Sequence, residues 1–553
     1  MRYMRKLYEE ALFFLRQKVF VILVALTAVG SYGFAITHES IGVDDTMVGL
    51  YLEDGLEAFM GRWTVYLVNK LFHMGEFTPF ITELAGCLLL LAAVVLYCVL
   101  LRRILGEQVG IGGYTAFACA FVSCPFISEV WIYYFHDGVD IGYVFIALAL
   151  LFFLDGLEAA GRGKAGYYAG SMICLWIAVG CYESFVVLYL TGIFMILFFR
   201  GMAGKEKLTA ALIPRLLIAG CLVLGCMLLR FLMQKAVAVV FSLQALEEIA
   251  VSREVVNGLE TLLGQEWLAG VIMIIKRYWL VYFVNGVVYE PIARYVLASL
   301  VVGITSLILA VKKKNFWYPL LFLGMMIVPL LLSFVVSPPS WYHTCQYMPF
   351  FVASAVVLLY RFLKGCGKVA GMAVFALISL WLVWNQAYES NYSFYVDYLK
   401  YEHTKEILTA IEQKVSAQYG EDARVIFTGK YKEPYELVKD YYAPYSSEEF
   451  HRISVLTDWL DPHLKEKYYG PYGYYFGGEA QSSLIEWGMY AFEKPGQELG
   501  NFLRMHGYQM DVVSDPVLVE KAEAFAEGMP GWPKEGSMAV MDGYVVVHFQ
   551  VGE

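Results

Sequence analysis

Residues 80–103 read FITELAGCLLLLAAVVLYCVLLRR. After Glu83 no charge interrupts the run until Arg102 and Arg103. About 20 consecutive apolar residues, wound as an α-helix, cross the ~30 Å hydrocarbon core of a bilayer. In lipid a helix satisfies its own backbone, whereas a lone strand cannot. The run therefore predicts a transmembrane helix closed by a basic end. The pattern recurs, predicting eleven spans at about 18–37, 80–101, 112–130, 139–154, 166–181, 185–200, 212–233, 293–311, 316–336, 346–363 and 369–387.

Composition agrees. The chain has 553 residues, 59% hydrophobic and 17% charged, where a soluble domain carries about 25% charged residues. Mean hydropathy is +0.55. The net charge of −10 argues against a nucleic-acid partner. The first span follows a basic stretch, Arg2 to Lys18, and lacks a small-residue cleavage site, so it reads as an anchor. Most of the ten cysteines lie inside apolar runs, and none forms a CxxC; neither a disulfide framework nor a zinc cluster is indicated.

Charge predicts the orientation. With the N-terminus in the cytoplasm, the even connections carry Arg102 and Arg103; Arg162 and Lys164; Arg200, Lys205 and Lys207; Lys312, Lys313 and Lys314; and Arg361, Lys364 and Lys368. The short odd loops near 131–138, 182–184 and 337–345 hold no Lys or Arg. That asymmetry follows the positive-inside rule. It divides the chain into a transmembrane domain, 1–388, and an extracytoplasmic α/β domain, 389–553. In the latter, RVIFTGKY (424–431) reads as a strand entering a turn, and TKEILTAIEQKV (404–415) and PVLVEKAEAFAEGM (516–529) as helices. SMAVMDGYVVVHF (537–549) reads as a hairpin around Asp542-Gly543, a dipeptide suited to a type I′ turn.

Beyond the first span comes IGVDDTMVGLYLEDGLEAFMGRW (41–63), read as an acidic pair leading into an amphipathic helix. Asp44 or Asp45 can cap that helix, but one Asp suffices for a cap. Alternatively, a carboxylate there takes a proton from an attacking hydroxyl, or the pair holds a divalent cation. The second external loop, SEVWIYYFHDGVD (128–140), sets Glu129, His136 and Asp137 among Trp131 and Tyr133. Carboxylates beside aromatic faces suit a sugar, although an interfacial aromatic belt has the same composition. Glu183, in GCYESF, sits between two spans and faces either a cavity or headgroup water. Arg230, Lys235, Lys276, Arg277 and Arg294 flank external span ends. They either hold a lipid phosphate or snorkel and pair with loop carboxylates. Tyr342 and His343 lie at the same face, in PPSWYHTCQYMP (338–349).

The order of these features resembles the GtrII-like glucosyltransferases, integral membrane enzymes of the GT-C class. The likeness is carried by IGVDDTMVGLY (41–51), MGRWTVYLVNKLF (60–72), CPFISEVWIYYFHD (124–137), NQAYESNYSFYVDYLKYE (385–402) and MPGWPKEGSMAVMDGYVVVHF (529–549). It implies a GT-C-like helical membrane fold in a bacterial cell membrane. It also implies a polyprenyl-phosphate-linked sugar as donor, typically glucose, and a cell-surface glycan or cell-wall polymer as acceptor. No nucleotide sugar is expected. Carried across, Asp44 is the general base and Asp45 orients the acceptor or shares a cation. Arg62, in the Gly-Arg-Trp that ends at Trp63, pairs with the Asp44 and Asp45 carboxylates or contacts substrate. Glu129 and Asp137 line the pocket, and Arg230, Lys276, Arg277 and Arg294 stabilise the leaving phosphate. The chain departs from the pattern at Glu183, where members often carry Gln, and at Tyr342-His343-Thr344, where they often carry Arg.

Two other classes compete. A transporter or flippase would carry polar or broken helices at mid-membrane, whereas most acids here cluster at external ends. A non-catalytic surface sensor needs far fewer spans.

Overall fold

The computed structural model describes residues 2–38, 40, 56–59, 61–72, 80–131, 138–243, 267, 268, 271, 291–335, 345–367, 369–429, 502–504, 506–513 and 515–549. They divide into two compact units, the first ending at Tyr392 and the second holding the chain from Ser393 onward.

The first unit is helical. Its elements are α1 (Arg2–Leu15), α2 (Lys18–Thr37), α3 (Leu56–Phe59), α4 (Trp63–Phe72), α5 (Ile81–Leu105), α6 (Ile111–Val122), α7 (Pro125–Trp131) and α8 (Val139–Glu158). There follow α9 (Arg162–Val179), α10 (Phe185–Met202), α11 (Leu212–Val240), α12 (Pro291–Lys313), α13 (Trp317–Val335), α14 (Met348–Cys366) and α15 (Ala370–Tyr419), whose residues from Ser393 belong to the second unit. Among the described residues nine helical segments are long and apolar enough to cross a membrane. They include α5, the run quoted above, and the stretch Ile111–Ser128 that joins α6 to the start of α7. The expected segments at 166–181 and 316–336 lie on α9 and α13, which fall outside those nine.

Helix α8 packs on α5 and α9, α6 on α2 and α14, and α10 on α13. Aromatic rings fill the centre. Tyr97 meets Phe121 and Phe350 at 5.1 and 5.2 Å, and Tyr143 meets Phe121 and Phe185 edge-on at 5.3 Å. These offset and edge-on geometries favour aromatic quadrupoles. Helix α11, by contrast, buries only 11% of its most apolar window, as suits a lipid-facing helix.

The expected basic connections gather at one end of this unit. Arg103 binds Glu10 at 2.6 Å and Asp155 at 2.7 Å. Arg200 binds Glu158 and Glu206 at 2.6 and 3.1 Å. The Lys205 ammonium donates to the Arg103 carbonyl, and that of Lys313 to the Gly201 carbonyl.

Two expected elements differ in extent. The helix predicted from the acidic pair through the Gly-Arg-Trp is interrupted between α3 and α4, where Gly61 takes φ +82°. The last span and the helix predicted over 404–415 are one continuous helix, α15. No Gly or Pro lies between Gly371 and Gly420 to break it.

The second unit has a four-stranded sheet ordered β2-β1-β4-β3 from β1 (Arg424–Gly429), β2 (Asp511–Val512), β3 (Met538–Met541) and β4 (Tyr544–Phe549). Strand β1 runs parallel to both neighbours, and β3 and β4 pair as an antiparallel hairpin. The hairpin turns at Asp542 and Gly543, both at positive φ (50° and 85°), as the type I′ reading requires. Helix α16 (Pro516–Ala526) starts at Asp515, whose carboxylate accepts from the Val517 and Leu518 amides. It buries Ala522 and Ala526 against Ile426 and Val546 of the sheet.

Candidate active site

Two distant segments converge on Glu183. The Arg62 amide donates to the Glu57 carbonyl at 2.8 Å across the Gly61 turn. Helix α4 then begins against the chain before Glu183. The Thr64 amide donates to the Gly180 carbonyl at 2.9 Å, and its hydroxyl to the Ile177 carbonyl at 2.9 Å. The Trp63 and Trp176 rings lie 4.6 Å apart. A Cβ on Gly180 would come within 2.5 Å of the Trp63 indole nitrogen, so the close approach needs glycine.

This seating brings the Arg62 Nε to 3.8 Å from Glu183 Oε2 and its guanidinium over the Tyr182 ring at 4.5 Å. Arg230, on α11, places Nη2 3.7 Å from the same oxygen, and its Nε donates to the Gly61 carbonyl at 3.2 Å. Gln234, one turn further on, donates to the Phe59 carbonyl. Both arginine side chains are mostly buried, at 13% and 17% exposure. The approaches to Glu183 are ion pairs longer than hydrogen bonds. Below α4, the buried Glu57 carboxylate accepts from Asn69 at 3.3 Å.

The neighbouring polar groups lie toward the same end. Gly138, at φ +66°, leads into α8 against Val65 and Cys181. Asp140, 4% exposed in the first turn of α8, accepts from the Trp131 indole at 3.1 Å. The Tyr143 hydroxyl donates to the Gln346 side chain at 2.6 Å, and the Ser123 hydroxyl to Gln386 at 2.9 Å. Arg294 forms a two-pronged pair with Glu389 of α15.

Of the residues singled out from sequence, Arg62, Trp63, Glu183 and Arg230 come together. Arg294 has Glu389 as partner instead of a loop carboxylate. Asp44, Asp45, Tyr133, His136, Asp137, Lys276, Arg277, Tyr342 and His343 lie outside the described residues, as does the side chain of Glu129. Among the described residues no three His, Cys, Asp or Glu side chains gather as metal ligands. Sequence reasoning passed over Glu389, although an acid just past the last apolar run, in NQAYES, is the signal that would have found it.

Apolar spans packed around aromatics, with cations at one end and an arginine–carboxylate cluster at the other, define a multi-pass membrane protein with a polar site at a membrane face. Residues 33–360 match the family model of the glucosyl transferase GtrII, and the chain belongs to that family. It is a glycosyltransferase, which sets aside the transporter and sensor readings. The match takes in the acidic pair, the Gly-Arg-Trp and Glu183; the likenesses at 385–402 and 529–549 lie beyond it. No curated protein and no solved structure matches the chain.

Proposed function

We propose that the protein transfers glucose from a polyprenyl phosphate to a cell-surface glycan or cell-wall polymer, at the outer face of a bacterial cell membrane. The N-terminus is then cytoplasmic and the second unit extracytoplasmic. The gathering of basic connections at one end of the helical unit supports that orientation.

The convergence of Arg62 and Arg230 on Glu183 carries the reading. A departing polyprenyl phosphate needs cations where its charge grows, and guanidinium forks match phosphate oxygens. In this reading Glu183 holds the two forks near each other until the donor phosphate takes them. The acceptor hydroxyl attacks the anomeric carbon, and its proton passes to Asp44. The bond from that carbon to the phosphate oxygen breaks with its electron pair, giving one inverting displacement. Asp45 orients the acceptor or shares a divalent cation with Asp44. Trp63, Glu129, Tyr133, His136 and Asp137 line the sugar and acceptor sites. Lys276, Arg277 and Arg294 add to the phosphate side, with Tyr342 and His343 beside them.

The test is transfer of radiolabelled glucose from synthetic polyprenyl-phosphate glucose to native cell-wall polymer by purified protein. Wild type is expected to label the polymer and Asp44→Asn to lose at least ~100-fold, the scale of a general base. Equal transfer by Asp44→Asn would return the acidic pair to a helix cap. Binding of the lipid without transfer by wild type would make the sugar or the acceptor wrong.

A further inference from the structure

Pro125 breaks the span that α6 and α7 share. It has no amide to donate to the Phe121 carbonyl, and its ring excludes a continuous helix. The Cys124 amide takes that carbonyl instead, at 3.2 Å. Side chains satisfy other backbone groups around the break. The Tyr32 hydroxyl donates to the Val122 carbonyl at 2.7 Å, and the Ser128 hydroxyl to the Pro125 carbonyl at 2.7 Å. The Ser123 hydroxyl is shared between the Cys119 carbonyl and the Gln386 side chain, both at 2.9 Å. A bare backbone group is costly at membrane depth, and an unbroken helix would need none of these partners. The break therefore serves something other than stability. It frees α7, which carries Glu129, from the continuous path of α6.

What fixes α7 reaches it from the start of α14 and from α8. Gln346, two residues before α14, is fully buried. Its side-chain amide donates to the Phe126 carbonyl at 3.1 Å, three residues before Glu129. Its side-chain oxygen accepts from the Tyr143 hydroxyl of α8 at 2.6 Å, and the same hydroxyl lies 3.0 Å from the Gln346 backbone carbonyl. A second tie joins the far end of α7 to α8, where the Trp131 indole donates to Asp140 at 3.1 Å. Gln346 thus spans α7 and α8 with the two ends of one planar amide. A leucine there would have nearly the same size and would need no partners. Glutamine adds direction to the contact, because a satisfied buried network admits one arrangement.

We propose that Gln346 is a positioning residue for glycosyl transfer. By tying the Phe126 carbonyl to Tyr143 it fixes α7 and so places Glu129 at the substrate site. This rests on the reading that Glu129 lines the sugar and acceptor sites. Gln346 itself touches no substrate and acts through Glu129.

The experiment is a double-mutant cycle on glucose transfer by the full-length protein in detergent, from polyprenyl-phosphate glucose to native cell-wall polymer, with thermal unfolding measured beside it. Glu129→Gln is expected to lower kcat/KM for the polymer at least ~10-fold. Gln346→Leu should also lower it at least ~10-fold, by displacing Glu129. Its unfolding temperature should stay within about 4 °C of wild type, because Tyr143 keeps the backbone carbonyl at position 346 as partner. The two changes combined should lose no more than about threefold beyond the worse single variant, since a residue that acts through Glu129 then has nothing left to place. Gln346→Asn, one methylene shorter, cannot bridge both partners and takes the place of the leucine variant if that one does not fold. Losses that multiply in the double variant would overturn the positioning role, and so would wild-type transfer by Gln346→Leu. Wild-type transfer by Glu129→Gln would instead remove Glu129 from the site, and with it the reading on which the proposal stands.

Discussion

Glu183 is the residue whose environment is most specific. Two guanidiniums from segments far apart in sequence approach one of its oxygens. Removing the carboxylate leaves those cations facing each other in a mostly buried place, and a broken buried pair costs more than an exposed one. Glu183→Ala is therefore expected to cost about 1–3 kcal/mol of stability and to lower glucose transfer by at least ~10-fold. Thermal unfolding in detergent beside a transfer assay checks both, and transfer at the wild-type level would remove Glu183 from the site. Gly61 makes a second case. Its φ of +82° disfavours a Cβ, and a Cβ there would come within 2.5 Å of the Arg230 guanidinium. Gly61→Ala should cost about 1–2 kcal/mol for the backbone alone and push Arg230 away from Glu183. Gly61→Ala combined with Arg230→Ala separates the effects: the steric part disappears in the double variant, while the backbone part stays. The sequence showed Arg62, Glu183 and Arg230 as unusual ionisable groups near span ends. It did not show that they meet, because helix packing and not local pattern closes the 169 residues between Gly61 and Arg230. Glu389 was missed for the same reason, since it lies 95 residues from Arg294.

At the scale of elements, ten of the expected spans each fall on a described helix and the one at 112–130 falls on α6 and α7 together, because bilayer thickness imposes both length and apolarity. What the pattern left open was where helices break and join. The Gly61 turn sits inside an apolar periodicity that reads as continuous, and α15 crosses a change of composition that reads as a boundary. Packing between elements gives a further prediction. Gly142 of α8 faces Phe185 of α10 so closely that a Cβ would lie 1.9 Å from the ring. Gly142→Ala should destabilise by about 1–3 kcal/mol through overpacking. Gly220→Ala on α11, with nothing within 4 Å, should instead stabilise by about 0.5–1 kcal/mol through helix propensity. Similar unfolding temperatures for the two variants would contradict this packing of α8 on α10. In the second unit the His506 ring accepts from or donates to Tyr401 at 2.6 Å and lies 2.8 Å from the Phe502 carbonyl. Burial, reinforced by Lys405, holds its pKa below the ordinary imidazole value, against the opposing Phe502 carbonyl and Glu402. The folded state thus binds its proton less readily than the unfolded state. The contribution is complete above the unfolded pKa of about 6.5 and is lost as pH falls through the folded value. Unfolding of this unit, followed by hydrogen exchange along β1 and β4, should therefore become easier below about pH 6.5. His506→Gln should flatten that dependence, and an unchanged profile would show that His506 does not set it.

At the scale of the whole molecule, orientation joins the charge pattern to the chemistry. A lipid-linked donor and a surface acceptor require the Glu183 cluster to face outward. On the proposed orientation the end holding Arg103, Lys205 and Lys313 faces the cytoplasm and the chain after α15 lies outside. Cysteine labelling tests this in intact cells. Cys221 and Cys366 are the exposed thiols among the described residues, and serine at both gives a quiet background. In that background Glu527→Cys, exposed in the second unit, should react with a membrane-impermeant maleimide before permeabilisation. Lys312→Cys, exposed at the basic end, should react only afterwards. The reverse order would place the Glu183 cluster in the cytoplasm, where nucleotide sugars are available, and the outward-facing polyprenyl donor would lose its physical basis. Labelling of both thiols in intact cells would mean that the two positions share the outer face, against the three spans expected between Lys312 and Glu527 at 316–336, 346–363 and 369–387. The pattern of the two thiols thus decides the side on which the chemistry takes place without relying on activity at all.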